Sequence, residues 1–259
     1  MQIRLNDLGQ VSSPAAGTGA QSPTISGMSV NYIELMPDAG AAPGSGVVIY
    51  KTKETNCGGA QALNFCKGLV VGENEILLSV DLNTIPPGAY PWIRISIAYQ
   101  ELIVQARSLS AGNTTATLAG FSADLTYLSK TKIQTTVLTP TLGGVGNKSR
   151  GYWLYYQKVF NTAYQLDGQS PHTTVVNPNP MAVNTSSLSF VYGQFVNSST
   201  MNTEALVIGT NETTDREVIL SISTNGSFEW TELTHDGRFQ PEIGETVLDF
   251  GCRGVIPLF

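Results

Sequence analysis

Apolar and polar residues alternate along this chain with a period of two, and no stripe at helical spacing persists over three turns. Short β-branched and aromatic runs are separated by Gly, Pro, Asn and Ser, which is the punctuation of strands and turns. The pattern predicts strands at 29–35, 46–53, 75–82, 92–106, 114–121, 133–138, 152–160, 188–196, 204–208, 217–224, 227–233 and 246–256. The longest of these places Ile93, Ile95, Ile97, Tyr99, Glu101 and Ile103 on one face, so that face is expected to meet the core. In the 217–224 run, Val218, Leu220 and Ile222 stand opposite Ile219, Ser221 and Ser223. Asn225-Gly226 then predicts a tight hairpin into Ser227-Phe228-Glu229-Trp230. A helical turn within 57–71 is the one ambiguous stretch.

A dozen strands at this spacing predict an all-β fold: an antiparallel β-sandwich of jelly-roll or immunoglobulin/transthyretin-like type. Residues 1–27 are rich in Ser, Ala, Gly and Pro and read as a flexible N-terminal spacer, with the sandwich occupying 28–259. Gly143-Gly144-Val145-Gly146-Asn147-Lys148-Ser149-Arg150 is either a loop within one sandwich or a divider between two. Strands of like character on both sides favour one.

Composition narrows the classes. Of 259 residues only 13% are charged, and 26 glycines with 13 prolines exclude a coiled coil or a helical repeat. The net charge is −6, and the 14 basic residues are scattered, so neither nucleic acid nor an anionic membrane surface has a patch to bind. No apolar run reaches the ~20 residues of a membrane-spanning helix. No charged stretch followed by an apolar one is legible at the start of the sequence, so no signal peptide is expected there.

Candidate chemistry is sparse. Cys57 and Cys66 bracket a loop short enough for a local disulfide in an oxidising compartment, and Cys252 reads as a small buried hydrophobe. His172 and His235 stand in polar loops, without a nucleophile elbow, so no hydrolase is expected. Asp236, Glu242, Glu245 and Asp249 cluster in sequence and are candidate ligands of a structural Ca²⁺, which takes several oxygen donors. A solvated hairpin with charge at its tip explains the same residues. No other cofactor is expected. Trp153 and Tyr155 share one face of their strand, and Trp92 opens the longest one; exposed, these aromatics would stack on sugars, and buried they are core. Six Asn-X-Ser/Thr triplets, at Asn113, Asn147, Asn184, Asn197, Asn211 and Asn225, read as polar turns.

The ending is the most distinctive stretch. Ile222-Ser223-Thr224-Asn225-Gly226-Ser227-Phe228-Glu229-Trp230, Asp236-Gly237-Arg238-Phe239-Gln240-Pro241 and Gly244-Glu245-Thr246-Val247-Leu248-Asp249-Phe250-Gly251 resemble the close of uncharacterised exported lipoproteins of Bacteroidota. Met28-Ser29-Val30-Asn31-Tyr32-Ile33-Glu34-Leu35 and Pro87-Gly88-Ala89-Tyr90-Pro91-Trp92-Ile93-Arg94 suit the same group. The Pro-Gly-X-Tyr lead into a long strand gives a looser likeness to fimbrillin-type pilus subunits. The resemblance implies export and a lipid-anchored or surface-held β-sandwich, with no catalytic motif. The expectation is therefore a non-enzymatic cell-surface or extracellular structural or interaction protein. Its partners would be other protein chains, copies of itself included, met through strand edges. The alternative is a carbohydrate-binding module whose exposed aromatics hold glycans.

Overall fold

A computed structural model of the chain describes residues 1–6, 15–55, 61–127, 146–159, 162–171 and 190–259. In chain order its first strands are β1 (Gln2–Asn6), β2 (Thr18–Gln21), β3 (Thr24–Met36), β4 (Val47–Lys51), β5 (Glu54–Thr55) and β6 (Ala62–Asn64). Then come β7 (Gly88–Tyr90), β8 (Trp92–Ser108), β9 (Gly112–Phe121), β10 (Leu125–Tyr127), β11 (Gly146–Lys148), β12 (Tyr152–Val159) and β13 (Thr162–Gln169). The last are β14 (Phe190–Gln194), β15 (Leu206–Ile208), β16 (Ile219–Ser223), β17 (Phe228–Thr231), β18 (Val247–Asp249) and β19 (Gly254–Leu258). Three single 3-10 turns are the only helical elements among the described residues, one of them at Phe65–Lys67 inside the stretch that was ambiguous in sequence. None is long or apolar enough to cross a membrane.

The fold is all-β and sandwich-like. A seven-stranded antiparallel sheet runs β13-β12-β9-β8-β3-β4, with β14 pairing the first half of β8. Smaller sheets β1-β16-β19, β11-β10-β6-β5, β18-β17-β2 and β15-β7 surround it. Pairing is antiparallel except between β1 and β16 and between β6 and β10. The large sheet draws strands from both sides of residues 143–150, because β3, β4, β8 and β9 precede that stretch and β12, β13 and β14 follow it.

The long strands β3 and β8 form the spine, and the expectation of a single core face on β8 is corrected here. Ile93, Ile95 and Ile97 enter the larger core, Ala98 and Tyr99 enter a second core, and Leu102, Val104 and Ala106 return to the first. The cause is a bulge: Ser29 pairs with Tyr99 and Val30 with Ile97, so Ala98 is an extra residue. One extra residue reverses the parity of every side chain beyond it. Ile103, expected inside, is consequently left half-buried on the outer side.

Both faces of this sheet are covered. Trp153 and Tyr155 point into the larger core while Leu154 and Tyr156 point into the second, beside Phe65, Tyr99 and Phe121. Three stretches of the supposed spacer are strand: β1 runs parallel to β16, β2 pairs with β17, and β3 begins at Thr24. The small residues of β2 have a packing reason, since a Cβ on Gly19 would lie 2.4 Å from the Trp230 ring. The polar strand β13 escaped the apolar pattern in the same way, with Gly168 lying flat against Trp153. Residues 75–82, expected as a strand, form a loop, and 133–138 lie outside the described residues.

The Asn225-Gly226 hairpin is also corrected. Ser227 N–H donates to Thr224 C=O at 3.0 Å, so the turn exists, but β16 and β17 belong to different sheets. Of the two central residues only Gly226 has positive φ, 56°. A type I′ hairpin turn needs it at both. The turn therefore hands the chain from one sheet to another.

One ion pair stands inside this framework. Arg94 Nη1 lies 2.6 Å from Glu34 Oε2, with the two side chains 1% and 0% exposed. Glu34 also accepts from Tyr32 O–H at 2.9 Å, Gly44 N–H at 3.2 Å and Gly46 N–H at 2.6 Å. Arg94 donates to Ala41 C=O and its guanidinium carbon lies 4.8 Å from the centre of the Tyr192 ring. Burial and then the Glu34 carboxylate push the Tyr32 phenol up to about 12. The network pins the 37–46 loop to the sheet and so fixes where β4 begins. A side chain at Gly46 would meet the Leu35 carbonyl at 2.2 Å.

Two substitutions test this packing. Arg94→Met leaves Glu34 buried without its cation and is expected to cost about 3–5 kcal/mol in urea denaturation, with Glu34→Leu in the same chain recovering part of it. Gly120→Ala places a Cβ 2.1 Å from the Phe250 ring. It is expected to cost about 1–3 kcal/mol, partly relieved by Phe250→Leu.

Candidate functional site

The charged segment 235–245 is anchored from below by one aromatic side chain. Phe239 is fully buried, bridges Ala106 in parallel, and its carbonyl accepts from Arg107 N–H at 3.1 Å. Its ring meets Phe228 edge-on at 5.3 Å and Tyr155 at 5.6 Å, while Phe228 stacks on Trp230 at 5.2 Å. The chain then makes a 3-10 turn at Pro241–Ile243, ended by Gly244 with φ 96°. Gly supplies that conformation without strain.

The four carboxylates expected to gather around calcium do not converge. Asp236 accepts from Arg107 Nη1 at 2.7 Å and from Arg238 N–H at 3.0 Å. Glu242 accepts from Leu109 N–H at 2.6 Å and ties the turn between β8 and β9 to the segment. Glu245, buried, accepts from Leu233 N–H at 2.9 Å and Gln240 N–H at 2.6 Å. Asp249 lies in β18, 3.7 Å from the Arg253 guanidinium that also reaches Glu229 at 2.7 Å. Among the described residues no three of His, Cys, Asp and Glu stand together to hold a metal. A hard cation needs several oxygens aimed at one point; here backbone amides and guanidinium groups have drawn them apart.

These partners shift the acids in opposite senses. The Arg107 hydrogen bond holds the Asp236 carboxyl below its usual value. Its contribution to stability is present above the unfolded carboxyl value and is lost as pH falls through the folded one. Burial raises Glu245. The folded chain keeps that proton to higher pH, so the contribution of Glu245 falls as pH rises from the unfolded value through the raised one.

The aromatic candidates are corrected by burial. Trp153 is 4% and Tyr155 0% exposed, so neither presents a ring to a sugar. Trp92 is half-buried against Tyr32, Met36, Phe190 and Tyr192. Cys57, the side chain of Cys66 and His172 lie outside the described residues. His235 is exposed with φ 54°. Cys252 is buried as expected; its thiol donates to Gly254 C=O at 3.1 Å, and burial pushes it up to about 12.

The surface that the sequence did not single out is the end of the large sheet. Strand β4, Val47-Val48-Ile49-Tyr50-Lys51, pairs with β3 and, among the described residues, with no strand beyond. A bulge at Ile49, where Ile33 pairs with Tyr50 and Glu34 with Val48, lets Val47, Ile49 and Tyr50 all pack toward the larger core. Val48 is left 41% exposed on the other side. Beside Ile49 opens an apolar cleft of about 60 Å³, lined by Leu35, Ile85, Leu206 and Val218 among others. Through Leu78, Val80 and Leu82 it adjoins a polar cleft of about 440 Å³ that carries Asp81, Glu212, Asp215 and Arg216. Asn83 Nδ2 donates to Glu212 C=O at 3.2 Å and ties the two walls of the polar part together. A run of β-branched residues after a Gly/Pro loop announced the strand; that it would be the last one in its sheet depends on pairing partners far away in sequence.

No family model, no curated protein and no solved structure matches this chain.

Two measurements follow from the site geometry. A calcium clip occupied a hundredfold above its dissociation constant would add about 2.7 kcal/mol, a rise of about 5–10 °C in a chain of this size. The expected thermal midpoint in calcium instead equals that in EDTA. Iodoacetamide at pH 8 is expected to leave Cys252 unmodified in the folded protein and to label it after denaturation, read by peptide mass mapping.

Proposed function

We propose that this protein is a non-enzymatic structural or interaction protein, exported or held at the cell surface, that engages other protein chains through a strand edge. The observation that carries the reading is β4: an aliphatic strand that, among the described residues, ends a seven-stranded sheet with one side paired and an apolar cleft beside it. A row of backbone N–H and C=O groups at a sheet edge is a template for an added strand, and a neighbouring apolar pocket gives that strand a side-chain preference. The charged groups of the 232–253 region support the same reading, because they are committed to holding loops and strands in place. The extracellular setting rests on the likeness of the closing residues to exported lipoproteins. The carbohydrate-binding alternative loses its main support with the burial of Trp153 and Tyr155.

Fluorescence anisotropy with a labelled eight-residue peptide of alternating Thr and Val tests the edge. Binding to the wild-type chain is expected, with at least a tenfold loss on Val48→Lys, since a charge on an edge strand opposes pairing. Val48 points away from the core, so the thermal midpoint of the variant is expected to stay unchanged. Equal binding by both chains, or none by either, overturns the reading.

A further inference from the structure

We infer that Asn225-Gly226 is a latent deamidation site held closed by the Ser22 hydroxyl, and that release of this contact lets Asn225 convert to aspartate and isoaspartate.

The chemistry starts from the sequence. Asn225 is the only asparagine of the chain that glycine follows. The side-chain amide of an asparagine is open to attack by the backbone nitrogen of the next residue, and glycine leaves that nitrogen unshielded because it carries no Cβ. In the reaction the Gly226 nitrogen bonds to Cγ of Asn225 and the Cγ–Nδ2 bond breaks. The proton of the attacking nitrogen departs with the amide as ammonia, and a succinimide ring remains. Water then opens the ring. Cleavage at Cγ gives aspartate; cleavage at the backbone carbonyl gives isoaspartate, whose main chain runs through the side-chain carbon. Water is the one co-reactant.

The structure holds the attacking nitrogen away from this path. Gly226 is buried, and its N–H donates to Ser22 Oγ at 3.0 Å. That hydrogen bond must break before the nitrogen can lose its proton and turn toward Cγ. The neighbouring peptide units are fastened as well. Gly226 C=O accepts from Arg253 Nη2 at 3.0 Å, and Ser227 N–H donates to Thr224 C=O at 3.0 Å. Asn225 N–H reaches Ser223 Oγ at 3.4 Å. Thr224 Oγ1 donates to Pro23 C=O at 2.7 Å in a buried contact, and the fixed φ of Pro23 keeps Ser22 seated on the turn.

The guard therefore comes from the link between β2 and β3, 204 positions earlier in the chain. Among these contacts only that of Ser22 engages the nucleophile itself, and Ser22 is exposed. Its hydroxyl can be removed without opening the core. The lesion it prevents falls at a sensitive place. An isoaspartate adds a backbone carbon where the chain passes from one sheet to another, just ahead of the buried Phe228 and Trp230.

Incubation of the folded chain in mildly alkaline buffer, followed by peptide mapping, reads the site. The product peptide is heavier by the exchange of NH2 for OH, and its isoaspartate and aspartate forms separate by chromatography. Ser22→Ala is expected to deamidate at Asn225 about tenfold faster than the wild-type chain, the ratio that one lost hydrogen bond supplies, while keeping the wild-type circular-dichroism spectrum. Ser22→Thr retains a hydroxyl and is expected to match the wild type. If Ser22→Ala fails to fold, the wild-type chain in urea is compared with the same chain in buffer, and Asn225 is expected to convert faster in urea. Equal rates in the wild-type and a folded Ser22→Ala chain overturn the inference. Equal rates in the folded and the urea-unfolded wild-type chain overturn it too, since the turn would then protect nothing.

Discussion

A strand covered on both faces has no side chain to spare for water, and β8 is such a strand over most of its length. Its partner β3 is buried in the same way beyond its first turn of residues. Everything else is arranged around satisfying that pair. The larger core covers one face, the aromatic cluster of Phe65, Tyr99 and Phe121 covers part of the other, and the Glu34–Arg94 network closes the remainder. The bulges along the ladder are part of the same solution. They let one strand serve two cores at different heights, and they add the twist that brings the smaller sheets over the large one.

The polar chemistry of the chain follows from this crowding. Where most strands are enclosed, the connecting loops must be fastened across the ends of the sheets, and their amides need acceptors. Carboxylates are the strongest acceptors available to a backbone N–H. Glu34, Glu242 and Glu245 are each used this way, joining segments distant in sequence or turning a loop sharply back. The low charge content is then a consequence of architecture: most of the ionised groups near the core hold something in place. What stays available at the surface is backbone along an edge, with aliphatic side chains and a shallow cleft beside it.

The all-β class and many strand positions were legible, because alternation is a local signal. The burial of Val218, Leu220 and Ile222 and the division of β12 into two faces could be read directly. The failures have physical causes. The alternation along β8 could not reveal the extra residue Ala98, since a bulge is defined by the partner strand. Strands β2 and β13 were missed because their glycines serve tryptophans on neighbouring strands, and a sequence shows the glycine without the ring it lies under. Four acids close together in sequence suggested a cation, but Asp236 and Glu242 are drawn off by donors of β8 and its following turn, Glu245 by the amides of Leu233 and Gln240, and Asp249 lies beside Arg253. Trp153 and Tyr155 share a face as read; whether that face is wet depends on Phe239, which arrives from the far end of the chain.

The three-stranded sheet β1-β16-β19 joins the beginning of the sequence to its end. β16 holds β1 on one side and β19 on the other, so residues near both extremities lie within two strand spacings, about 10 Å. Such a sheet has the highest contact order the chain can offer, and its formation must wait until Leu258 has left the ribosome. Until then β1 lacks its partner, and pairings of such sequence separation form slowly because the loop must close before the contacts reward it. The same proximity means that a short linker across the two ends, with new termini opened at the exposed Leu109 turn, would convert this late closure into an early one.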